Sequence, residues 1–67
     1  MDDNIWSYYL NKKIFIFLKN KRQYSGTMID IHDAGNGLVF ITILDKFNRK
    51  VMFTTGEIAS MEEEKHG

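Results

Sequence analysis

Apolar and polar positions along this chain fall into short runs broken by glycine, asparagine and charged residues. The run KIFIFL is β-branched, aromatic and aliphatic almost throughout, a strong strand signal. Both of its faces are apolar, so it is expected to be covered on both sides, by a helix on one and by the core on the other. QYSGTMIDIH, LVFITIL, KVMFT and EIASM follow, separated by NKR, DAGNG, DKFNR and a TG break. These runs predict strands over about residues 13–19, 23–32, 38–44, 50–54 and 57–61. Gly26 inside the second run marks a sharp bend or a bulge. Ahead of the first strand, Asp2, Asp3 and Asn4 supply capping side chains and negative charge. Ile5, Tyr8 and Tyr9 then recur at helical spacing, and Lys12 and Lys13 suit a last turn. The pattern predicts a short helix over about residues 3–11. EEEKHG, residues 62–67, reads as a solvated acidic tail.

Short, bent strands with tight connections suit a small, partly open barrel better than a two-sheet sandwich. The fold class expected is therefore mostly β: an N-terminal α-helix followed by a five-stranded, strongly bent, partly open SH3-like barrel. No repeat, linker or low-complexity segment divides the chain. One domain over residues 1–67 is expected.

Size changes what this pattern means. A chain of 67 residues buries only about 60% of the surface its unfolded form exposes. Such domains are usually reinforced by disulfides, metals or oligomerisation. Cysteine is absent, which removes disulfides, thiolate zinc sites and cysteine nucleophiles together. Two histidines, His32 and His66, are a poor basis for a metal site. Oligomerisation is what remains. The N-terminus lacks a basic leader, and no apolar run approaches the roughly 18 residues of a membrane span. Together with the absence of cysteine, this leads us to expect an intracellular, cytoplasmic protein.

Net charge is zero, with nine basic and nine acidic residues, so it does not argue for nucleic acid. Distribution says more. Lys12, Lys13, Lys19, Lys21 and Arg22 fall together without an acid, and Lys46, Arg49 and Lys50 form a second group beside Asp45. Acids gather towards the two ends. This is either a basic face with acidic margins or a set of solubilising turns.

Several residues together carry a resemblance. KIFIFLKNKRQYSGTMIDIHDAGNGLVFI resembles the first motif of the Sm-like (Lsm) family: a hydrophobic strand, a basic turn and a glycine, Gly26. Alternating apolar residues follow, with a loop asparagine, Asn36, ten positions after the glycine. KVMFT and EIASM, joined through Gly56, resemble the second motif. The likeness spans roughly residues 4–62 and is to the small homo-oligomeric proteins of archaeal or bacterial type. The chain departs from the family pattern at four points. His32 stands where the family has an acid, which appears one step later as Asp33. Ala34 occupies the position of a base-stacking side chain. Thr55 replaces the arginine before Gly56, and the Gly56–Ile58 segment is one residue shorter.

The resemblance implies a homo-oligomeric ring of six or seven subunits that binds single-stranded, U-rich RNA near its pore, with a place in RNA processing. A physical argument supports the ring separately. An open five-stranded barrel leaves two edges with unpaired backbone groups. The fourth strand has no charge or proline within VMF to guard it. Pairing it with IASM of a neighbour satisfies both edges, and such a contact closes when the rotation is right. The expected subunit interface is Val51, Met52, Phe53, Ile58, Ala59 and Met61. The alternative is a monomer whose edge is covered by the helix or the tail.

Candidate RNA-binding residues are His32, Asp33, Asn36, Thr55 and Gly56. His32 can stack on a base, Asn36 can read a base edge and Asp33 can accept a hydrogen bond. Against this, Asp33 and Asn36 also build turns, and Asn36-Gly37 is a turn signal in its own right. Candidate phosphate contacts are Lys21, Arg22, Lys46 and Arg49, which solvation explains equally. Trp6, Tyr8 and Tyr9 are either base-stacking or core residues. Met28, Met52 and Met61 read as packing.

An enzyme is not expected. There is no paired-carboxylate arrangement, no HExxH, and no phosphate-binding glycine loop, GNG being too short. His32 and Asp33 are adjacent strand residues that point to opposite faces. No cofactor or metal is implied. The rival to RNA binding is a structural or scaffold ring whose partners are proteins, a reading that Thr55 in place of arginine favours.

Overall fold

The computed structural model describes residues 6–64. Its strands are β1 (Lys13–Leu18), β2 (Gln23–Gly35), β3 (Leu38–Leu44), β4 (Lys50–Thr54) and β5 (Ile58–Glu63). A single 3-10 turn, Thr55–Glu57, joins β4 to β5. All pairings are antiparallel, in the order β4-β3-β2-β1-β5. The sheet is open: β4 pairs only with β3, and β5 only with β1, among the described residues.

Every strand contributes to one core. Ile14, Ile16 and Leu18 come from β1, Met28 from β2, Ile41 and Ile43 from β3, Phe53 from β4 and Ile58 from β5. A flat sheet cannot gather side chains from all five strands into one cluster, so the sheet curls. The bend is visible in one contact. Tyr24 lies at the start of β2 beside Ile16, yet its ring is 5.0 Å from that of Phe53, on the far strand β4. Strand β2 turns through its own length to bring them together, with register shifts between Met28 and Asp30 and between Asp33 and Gly35. Gly26 sits inside the curve. A Cβ there would lie 2.6 Å from the Leu44 carbonyl oxygen and 3.3 Å from the Asp45 Cα. The bend therefore requires glycine because the backbones approach too closely for any side chain.

The expected N-terminal α-helix is corrected: no α-helix stands among the elements of the described residues. Residues 3–5 of the expected helix lie outside the described residues. From Trp6 to Lys12 the backbone hydrogen bonds span three residues: Tyr9 N–H to Trp6, Leu10 N–H to Ser7 and Lys12 N–H to Tyr9. Asn11 then turns left-handed, with φ of 68°. Its N–H donates to the Met28 carbonyl, and the Met28 N–H donates to that of Lys12. Trp6 and Ser7 alone are α-helical among the described residues, and from Tyr8 the chain continues in turns and not as a helix. Docking onto β2 and the core takes its place. Trp6, Tyr9 and Leu10 pack against the core cluster, whereas Tyr8 is 58% exposed. The Tyr8 hydroxyl donates to Glu63 in β5, and the Lys12 ammonium lies over its ring.

The covering of β1 also differs from expectation. Its inward residues are buried, but Phe15 and Phe17 on the convex face are only half-buried. The N-terminal segment covers the core, so it does not shield that face. The acids expected in the tail are partly structured, since Glu62 and Glu63 complete β5 against β1. Residues 65–67 lie outside the described residues. No helix among the described residues is long and apolar enough to cross a membrane.

Gly26→Ala is expected to lower stability by about 1–3 kcal/mol, the usual cost of forcing atoms into a packed site. Chemical denaturation measures this directly. A neutral result would show that β2 and the end of β3 can separate without loss.

Candidate functional site

The candidate residues at the β2–β3 connection are placed by a tighter turn than the sequence suggests. Strand β2 runs on to Gly35, which pairs with Leu38. Only Asn36 and Gly37 remain between the strands, both with positive φ, 57° and 77°. That is a type I′ turn, whose twist matches that of the strands it joins. Asp33 is thus a strand residue, and its Oδ1 accepts from the Gly35 N–H at 2.8 Å. This bond holds the approach to the turn, so Asp33 has a structural task. The Asn36 side chain is exposed at the tip.

Registry separates His32 from Asp33. His32 pairs with Phe40, which pairs with Thr54, forming one row across the convex face. Asp33 pairs with Val39, a buried residue on the opposite side. The two do not act on one group.

Thr55 and Gly56 belong to the 3-10 turn at the β4–β5 crossing. Thr54 precedes this turn and pairs with Phe40, so the crossing begins at the end of the sheet that carries the β2–β3 turn. Thr54 Oγ1 donates to the Glu57 carboxylate at 3.0 Å, and the Glu57 carbonyl accepts from the Lys19 N–H at 2.9 Å. The crossing is thereby tied to the β1–β2 turn. Lys21 in that turn has φ of 73°, and Asn20 Oδ1 accepts from the Arg22 N–H. Leu18, Lys19, Asn20 and Glu57 line a shallow cleft of about 170 Å³ between the two.

The four candidate phosphate contacts do not converge. Lys21 and Arg22 stand at the β1–β2 turn, near the crossing. Lys46 and Arg49 stand at the β3–β4 turn, at the other end of β4. Asp45 organises that second turn. Its Oδ1 accepts from the backbone N–H groups of Phe47 and Arg49, both at 2.9 Å. The Asp45 carboxyl is held below its usual range chiefly by the Arg49 N–H. The Phe47 N–H and the charges of Arg49 and Lys46 act in the same direction, while partial desolvation opposes them. The exposed Arg49 guanidinium lies 3.7 Å from the half-buried Asp45 carboxylate, a surface pair of little weight by itself.

The expected interface residues divide by face. Phe53 and Ile58 are buried in the core, and Val51 and Met61 pack against it. Met52 is 63% exposed on the convex side of β4, and Ala59 is exposed on β5. What β4 and β5 offer a neighbour is therefore mainly backbone, with Met52 and Ala59 as the free side chains. No group of His, Asp and Glu among the described residues has the arrangement to hold a metal ion. No family model matches this chain, and neither a curated protein nor a solved structure matches it.

Asp45→Asn is expected to be less stable than the wild type at neutral pH. A carboxylate with a depressed pKa stabilises the fold above its unfolded value, about 3.9. That contribution fades as pH falls through and below this value. Thermal unfolding between pH 3 and pH 7 should show the gap between the two proteins closing in acid. A gap that stays constant would mean that the charge on Asp45 is irrelevant to the turn.

Proposed function

We propose that this chain assembles through β4 and β5 into a closed homo-oligomeric ring of the Sm-like kind, and that the ring binds single-stranded, U-rich RNA. The observation that carries the proposal is the position of the two open edges. They lie at opposite ends of one curled sheet, with five residues in β4 and six in β5. An edge left in water exposes a row of backbone donors and acceptors to pairing with any other chain. Here β4 of one subunit and β5 of the next can extend each sheet by one antiparallel strand. Because the two edges are different surfaces, the contact is head-to-tail, and it closes into a ring when the rotation from one subunit to the next is right. The exposed Met52 gives that contact apolar area, and the small Ala59 lets a neighbour approach.

RNA binding follows from where such a ring would gather its turns. Each subunit offers the Asn36 amide at a rigid turn, with Lys21 and Arg22 beside the β4–β5 crossing. A side-chain amide matches the donor and acceptor edge of an unpaired base, and the cations match phosphate. The scaffold reading is favoured by one observation. Glu57, with its carboxylate bound to Thr54, places an acid at the crossing, where the related pattern has a cation at the position of Thr55.

Native mass spectrometry at micromolar concentration is expected to show a hexamer or heptamer; a folded monomer would end the ring proposal. Oligouridylate binding, followed by anisotropy across a salt series, should weaken as salt rises. Asn36→Gly keeps the positive φ of the turn while removing the amide. It is expected to leave stability within about 0.5 kcal/mol and to weaken RNA binding about tenfold, the scale of one good base contact. A persistent ring that binds no RNA at low salt would leave the scaffold reading.

A further inference from the structure

The β3–β4 turn displays a feature that the β2–β3 region lacks. Phe47 is 64% exposed, the most exposed large hydrophobic residue among those described. It stands between Lys46 and Arg49, whose charged groups lie 5.4 Å and 5.3 Å from its ring centroid. Lys50 follows directly. The single acid in the turn, Asp45, is occupied by two backbone N–H groups and the Arg49 guanidinium. A flat apolar ring is thus held in water beside two cations.

The turn that presents it is well fixed. Besides the two bonds to the Asp45 carboxylate, the Asp45 N–H donates to the Arg49 carbonyl at 2.9 Å. The Asn48 N–H donates to the Asp45 carbonyl at 2.9 Å, and Asn48 turns with φ of 62°. A ligand meeting Phe47 therefore has little backbone to order, which lowers the cost of binding. Beside the turn lies an open cleft of about 380 Å³ lined by Lys13, Ser25, Gly26, Lys46, Asn48 and Glu64 among others.

We infer that the β3–β4 turn is a base-stacking platform for single-stranded nucleic acid, with a base on Phe47 and the flanking phosphates on Lys46 and Arg49. An unpaired base is a flat π surface of about the ring's own size, and its phosphates follow on either side. Aromatic stacking holds such bases without sequence preference, and cations beside the ring neutralise the backbone. One aromatic flanked by lysine, asparagine and arginine presents too little apolar area for insertion into a bilayer. The inference rests on the proposed RNA binding but on different residues from the Asn36 turn. It gives the chain a second point of contact, at the opposite end of β4 from the crossing.

The test uses the full chain and a fluorescein-labelled oligouridylate. Phe47→Ala is expected to weaken binding about tenfold, as loss of one stacked base does, and to leave the melting temperature unchanged. Lys46→Gln and Arg49→Gln are each expected to reduce the salt slope by about 1. Phe47→Trp should bind as the wild type does, with its added fluorescence quenched by unlabelled RNA beyond any change shown by Trp6 in the wild type. If the wild type binds and Phe47→Ala binds equally well, the platform is overturned while RNA binding stands. If the wild type binds no oligonucleotide even at low salt, RNA binding itself fails and the platform falls with it. If the added indole emission of the Phe47→Trp variant responds to anionic phosphatidylserine vesicles and not to RNA, the turn is a membrane contact and the inference is overturned.

Discussion

The close approach of β2 to the end of β3 at Gly26 is the constraint on which the rest of this structure depends. A five-stranded sheet in a chain this short can enclose a core only by folding over on itself. The curl comes from β2, and it brings Tyr24 against Phe53 and gathers Met28, Ile41 and Ile43 into one cluster. With a side chain at position 26 the strands would have to part. The inward residues of β4 would then lose the surface they pack on. The curl stops short of closure, and β4 and β5 stay unpaired with each other among the described residues. A small sheet bent enough to bury its own residues has two strands at its margins whose backbone groups still need partners. The assembly proposed above would supply those partners.

Much of this is readable from the residues, and the exceptions are instructive. The five strands are visible as runs of β-branched and aromatic side chains, and Gly26 marks the bend because nothing else in β2 explains a glycine there. The N-terminal segment misleads because Ile5, Tyr8 and Tyr9 fit helical spacing. In the structure Trp6, Tyr9 and Leu10 do the packing, over successive three-residue turns. Spacing of three serves a tight turn as well as a helix, and the bonds between Asn11, Lys12 and Met28 that decide the matter are long-range. No local pattern carries them. The β2–β3 connection is shorter than its composition suggests for a related reason. Asp33, Ala34 and Gly35 are polar or small, which suggests a loop, yet β2 keeps its pairing with β3 as far as Gly35 although these residues are exposed. Asn36-Gly37 alone is the turn.

The candidate site is legible in part. In the structure His32, Phe40 and Thr54 form one row across the sheet, and the candidates Thr55 and Gly56 follow Thr54 in the β4–β5 crossing. It also shows Asp33 supporting a turn, and Phe53 and Ile58 filling the interior. Alternation along an edge strand explains the latter. Inward and outward residues alternate along β4, and a register shift displaces them in β5, so any stretch of either strand includes side chains that face the core while its backbone stays free to pair. Phe47 escapes a reading of the sequence because DKFNR scans as a turn, and turn composition describes what the backbone does. It says nothing of a side chain held in solvent at the tip.

Asp45 links these two levels. Its carboxylate is consumed in shaping the backbone of the β3–β4 turn, which leaves Lys46 and Lys50 without an acidic partner in that segment and Arg49 with a weak one. A turn closed by a neutral residue would hold the same shape less firmly, whereas a second, free acid would cancel the local charge. One buttressing carboxylate beside Lys46 and Arg49 gives a hydrogen-bonded turn with more basic than acidic side chains. Rigidity and charge are the two properties that a phosphate-bearing ligand selects. In this chain the net charge of zero conceals them, because balance over the whole sequence is compatible with strong imbalance over a single turn.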